Sequence, residues 1–124
     1  MTYQMIDADT HVTEPADLWT SRVPARWKDR VPHVVVDPAT KDEIWLLGDQ
    51  RMGVVGVFSV AGWPEPYPAH PHGYADAHPG GHDAHARLAY MDGLGVWAQV
   101  LYPNVGGFGN QAFLKLQDAE LKLA

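Results

Sequence analysis

The sequence predicts an α/β fold, and three segments carry the prediction: an alternating strand at the start, a capped helix near residue 84, and an apolar strand directly after it. Residues 3 to 9 read as the first strand. Strand side chains alternate faces, so Ile6 and Ala8 leave on one side and Asp7 and Asp9 on the other, with His11 continuing the polar set. Asp83 suits the N-cap of a helix from Ala84 to about Gly93. Leu88 and Met91 mark its buried face, and Gly93 and Gly95 supply the stop. Val96 to Tyr102, closed by Pro103, is apolar nearly throughout, as in a parallel strand buried on both faces. Strand, long crossover with a helix, strand is a βαβ unit, and such crossovers are right-handed.

The crossover has its own organisation. Pro15 to Ser21 predicts a short helix opened by proline, and Pro24 to Arg30 a further helical turn stopped by Pro32. His33 to Asp37, Glu43 to Leu47 and Arg51 to Phe58 are short apolar or β-branched runs. Pro38-Ala39-Thr40-Lys41 and Gly48-Asp49-Gln50 separate them, which predicts a hairpin or three-stranded meander inserted over residues 33–58, outside the parallel sheet. Residues 61–82 are dense in Gly, Pro and His and read as a long loop, either poorly ordered or lying over the strand ends as a lid. After the second strand, 104–109 is a glycine-rich loop. A final helix from about Asn110 to Ala124 places Ala112, Phe113, Leu116, Ala119 and Leu123 on one face.

Charge and composition exclude several classes. With 15 acidic and 9 basic residues the net charge is -6, and no basic patch offers itself to a nucleic-acid backbone. No 18-residue apolar run predicts a membrane span. Asp7 and Asp9 stand where a signal peptide needs a basic start and an apolar stretch, so the chain is expected in the cytoplasm. Cysteine is absent, which rules out disulfides and thiolate metal sites.

The chemistry concentrates in Asp7-Ala8-Asp9-Thr10-His11, followed by Val12-Thr13-Glu14-Pro15. A strand that ends in Asp-x-His on one face presents a carboxylate and an imidazole to one cation, and that donor pair suits Zn²⁺ first and Mn²⁺ second. Asp7 shares the face as a further ligand or as a structural carboxylate. Glu14 either orients His11 from behind or caps the turn at Pro15. Tyr102 and Asn104 end the second strand at the same end of the sheet and are candidate pocket residues. His70, His72, His78, His82 and His85 are five of the seven histidines. Their spacing can bind metal, but the intervening Pro and Gly define no geometry, so a surface loop is the simpler reading. Gly106, Gly107 and Gly109 lack the pattern of a phosphate-binding loop.

The opening Ile6-Asp7-Ala8-Asp9-Thr10-His11 with Glu14-Pro15, and the block Asp83 to Gly95 with Arg87-Leu88 and Met91-Asp92, resemble the amidohydrolase-2 family, which includes the aminocarboxymuconate-semialdehyde decarboxylase group. The tail from Gln117 resembles the start of the family's next helix. The resemblance covers both ends of the chain and weakens between about residues 33 and 78. Asp9 departs from the pattern, since many members carry His there.

The resemblance implies the N-terminal portion of a TIM-type (β/α)8 barrel, a fold of about 250 residues. It implies Asp9 and His11 as ligands of a divalent metal. It also implies a hydrolase or decarboxylase acting on a small carboxylated or amide-like substrate. The family's later His, Asp and catalytic His fall on strands that would follow Ala124, so the general acid/base is unassigned and the chain is expected to be incomplete for catalysis alone. The rival reading is a non-catalytic remnant, or an interaction module that binds metal through its His-rich loop. On either reading, unpaired strand edges predict self-association or pairing with the rest of a barrel.

Overall fold

In the computed structural model, which describes residues 3–107 and 111–123, the chain forms two sheets. The first is a parallel pair of β1 (Met5–Val12) and β5 (Val96–Pro103). The second is an antiparallel meander of β2 (Pro32–Val36), β3 (Glu43–Leu47) and β4 (Gln50–Val54). Helix α1 (Ala84–Leu94) lies in the crossover, and two short helices, α2 (Gln111–Leu114) and α3 (Ala119–Leu123), end the described chain. This is the predicted mixed α/β arrangement. The two strands of the parallel sheet close no barrel among the described residues.

Local chemistry accounts for the elements that matched. The Asp83 carboxylate accepts the Ala86 N–H at 2.7 Å and starts α1. Gly95 ends it in the left-handed region at φ 71°, where a side chain would be strained. The meander turns tightly between Leu47 and Gln50, with Gly48 at φ 56°. Among the described residues, 61–82 contains no helix beyond a single 3₁₀ turn at Pro79–Gly81.

Other expectations are corrected. Pro15 to Ser21 is a run of turns, closed by bonds such as Leu18 N–H to Pro15 O at 2.9 Å, and not a helix. The third run ends as a strand at Val54, because Val55 to Ser59 curls into a 3₁₀ turn. The single last helix is broken. The Asp118 carboxylate accepts the N–H groups of Glu120 and Leu121 at 3.0 and 3.1 Å and starts α3 afresh. Asn110, Gly109 and Ala124, predicted as helix start, loop glycine and helix end, lie outside the described residues.

Burial differs most from expectation. Leu88 does not mark a buried face, and α1 has no buried residue. Trp97, Val100 and Leu101 of β5 are likewise exposed. Each expectation assumed a full sheet, whereas this parallel sheet has two strands. The deepest core lies instead under the meander, where Trp45 and Val55 are fully buried and pack with Val105 from the loop after β5. A second cluster joins Val23, Trp27, Val31 and Leu121, and Trp19 packs against both. The insertion therefore forms its own sheet yet supplies the core on which the end of β5 rests.

Candidate functional site

The site lies at the C-terminal end of β1. Asp9 and His11 leave the strand together, with His11 Nε2 3.5 Å from Asp9 Oδ1. The Asp9 side chain is 87% exposed, so mutual attraction of the pair is weak in this setting. The backbone beneath holds it in place. The pairing register with β5 shifts between Asp7 and Thr10, a bulge that bends the strand where the two side chains emerge.

Asp7 organises that bulge. Its carboxylate accepts the Thr10 hydroxyl at 2.5 Å and the Asp9 N–H at 3.2 Å. These bonds, the Thr10 hydroxyl foremost, hold the Asp7 carboxyl below its ordinary range. Gln99 on β5 donates to the same carboxylate at 3.4 Å and accepts from Arg87 Nη1 at 3.1 Å. Arg87, on α1, also donates to the His11 carbonyl at 3.1 Å and to the Gly81 carbonyl at 3.5 Å. Burial lowers the Arg87 pKa, and the negative charge of Asp7 opposes that shift.

A cavity of about 520 Å³ opens over this surface. Asp7, Asp9, Thr10, His11 and Thr13 line it together with Gln99, Arg87 and Tyr90. Phe58 to Gly62 and the turn carrying His78, Gly80 and Gly81 also line it. Both ends of the Pro/Gly/His-rich loop thus line the cavity. The loop is anchored through the Tyr74 N–H to the Glu43 carboxylate at 2.8 Å and the Tyr74 hydroxyl to the Glu14 carbonyl at 2.5 Å. Thr13 and Ser59 share a buried hydroxyl pair at 2.7 Å.

The other predicted residues take different positions. The Glu14 carboxylate, in a residue 6% exposed, accepts the N–H groups of Asn104 and Val105 at 3.0 and 3.1 Å. It clips the chain after β1 to the chain after β5. Burial raises its pKa, and the backbone donors pull the other way. Asn104 is buried too, its side-chain amide donating to the Val12 carbonyl at 2.9 Å. Tyr102 tilts against the His11 ring at a centroid distance of 5.7 Å. Neither Tyr102 nor Asn104 is in the cavity lining described above.

In the histidine-rich loop, His72 Nδ1 meets Asp42 at 2.7 Å, and His78 accepts the Gly80 N–H. Among the described residues no group of three or more His, Asp or Glu side chains could hold a metal ion. Sequence reasoning missed Arg87 and Gln99 as site residues. The available signal was a charged residue on α1 and an amide within an otherwise apolar strand.

No protein-family model matches this sequence, and no curated protein matches it. Among solved structures, the chain is similar to an amidohydrolase from Mycobacterium avium subsp. paratuberculosis K-10, with a TM-score of 0.58 and 21% sequence identity. The match covers 93% of this chain and 34% of that protein, so the chain spans about a third of its length. At this identity the likeness is one of fold. Among the described residues no helix is long and apolar enough to cross a membrane.

Proposed function

We propose that the chain carries the first-strand part of a metal-dependent site of amidohydrolase type, serving hydrolysis or decarboxylation of a small carboxylated or amide-like substrate. The observation that carries this reading is the convergence of Asp9 and His11 at 3.5 Å over the cavity, at the C-terminal end of a parallel strand. Catalytic groups of α/β barrels occupy that end. The fold likeness to an amidohydrolase points the same way.

Asp9 and His11 offer one carboxylate oxygen and one imidazole nitrogen, a donor set that fits Zn²⁺ first and Mn²⁺ second as two of its ligands. A bound divalent ion supplies Lewis acidity toward a water or a substrate oxygen. The chain's own residues do the rest. Asp7 stays ionised and fixes the Asp9 backbone, Arg87 fixes the His11 backbone, and Phe58, Val60 and Ala61 give the cavity an apolar wall.

Calorimetric titration of the metal-stripped chain with Zn²⁺ tests the reading. Asp9→Ala and His11→Ala should each weaken binding by about tenfold or more. Failure of the wild type to bind, or binding at the wild-type level by both variants, would overturn it.

A further inference from the structure

We infer that Arg87 and Gln99 are positioning residues, a two-residue relay that sets the placement of Asp9 and His11 from elements that carry neither. The inference rests on the metal-site reading above, but its evidence is the bonding pattern itself. The relay runs from α1 to the strand pair. Arg87 Nη2 binds the His11 carbonyl, and Nη1 binds the Gln99 side-chain oxygen. The Gln99 amide nitrogen binds Asp7 Oδ2, and Asp7 Oδ1 accepts the Asp9 N–H. One end of the chain of bonds thus stops at His11 and the other at Asp9.

The chemistry of each member is specific. Position 99 must accept from a guanidinium and donate to a carboxylate, and a glutamine amide does both in one plane. The relay places a neutral dipole between Arg87 and Asp7, so the two opposite charges are satisfied without direct contact. Arg87 has the further task of reaching three acceptors on β1, β5 and the Pro79–Gly81 turn, which a planar fork can do and a lysine point charge cannot. The Gly81 carbonyl also accepts the Thr13 N–H at 2.9 Å, so the same arginine ties the chain just beyond His11 to the cavity wall. The relay adds to the Thr10–Asp7 bond within the bulge and to the pairing with β5 that resumes at Thr10. Asp9 is largely exposed, which weakens its attraction to the partly buried His11, so positioning draws on the bonds beneath.

The test uses the whole chain with Co²⁺ as the probe and two readouts: Co²⁺ affinity by calorimetry, and the Asp9 amide resonance in the metal-free protein. Gln99→Met should weaken Co²⁺ binding by about tenfold and shift the Asp9 amide upfield as its bond to Asp7 loosens. Gln99→Glu keeps the acceptor for Arg87 but removes the donor to Asp7, and should reproduce both effects. Arg87→Lys should lower affinity while leaving the Asp9 amide closer to wild type. If Gln99→Met fails to fold, the near-isosteric Gln99→Glu decides. Unchanged affinity and an unchanged amide in a folded position-99 variant would overturn the inference. If the wild type takes no Co²⁺, the proposed function falls. The metal-free amide then decides the relay alone: a shift supports it and no shift overturns it.

Discussion

Replacing Glu14 by alanine should destabilise the chain by about 2–4 kcal/mol, because it takes the acceptor from two N–H groups of buried residues. Asn104 and Val105 are 9% and 2% exposed, and their amides lie 3.0 and 3.1 Å from one Glu14 oxygen. A buried donor left unsatisfied costs about 1–3 kcal/mol, so two give a gross loss of about 2–6 kcal/mol. Alanine also relieves the desolvation of the carboxylate, which offsets the upper part of that range. Glu14→Gln keeps one carbonyl oxygen for both amides and removes the buried charge, but sets its NH2 toward the Val105 N–H that the second Glu14 oxygen accepts at 3.2 Å, so it should cost less than alanine, about 1 kcal/mol.

Urea unfolding followed by tryptophan fluorescence measures both variants, since the transition releases the buried Trp45. The pH dependence gives a second check. A carboxyl with a raised folded pKa binds its proton more tightly when folded. Its contribution is therefore complete below the unfolded value and is lost as pH rises through the folded one. Wild-type stability should show that fall, and Glu14→Gln should lack it. An alanine variant within about 0.5 kcal/mol of wild type, or glutamine as damaging as alanine, would refute the clip between the two strand ends.

Trp45→Ala should cost about 3–5 kcal/mol by chemical denaturation, and a loss below about 1 kcal/mol would show that the meander is not the core. Asp118 has the opposite linkage to Glu14. The Leu121 N–H foremost, with Arg30 at 2.9 Å, holds its carboxyl below the ordinary value, so its contribution is present above that value and lost as pH falls through the folded one. The Leu121 methyl resonances should therefore report undocking of α3 on acidification from about pH 5 to pH 2. That acid response should disappear in Asp118→Asn. The purified chain should bind a divalent cation yet turn over neither amide nor carboxylated substrates, because two converging donors leave the cation mostly hydrated. Turnover abolished by Asp9→Ala would contradict this.

The sequence by itself determined the elements whose causes are local. The Asp83 cap, the Gly95 stop, the turns of the meander and the β1 and β5 segments follow from residue type and spacing, and each is found near its predicted place. The Asp9 and His11 juxtaposition was legible for the same reason, since alternation along a strand requires only neighbouring residues. Tertiary structure alone decided the rest, because the deciding partners are far apart in sequence. Glu14 found its donors at Asn104 and Val105, and Arg87 found the His11 carbonyl. The core moved to Trp45, Val55 and Val105 because a two-stranded sheet leaves Leu88 and Trp97 uncovered, whatever their hydrophobicity. A side chain's type states what it can bond or bury, whereas the partner is chosen by whichever segment the folded chain brings alongside.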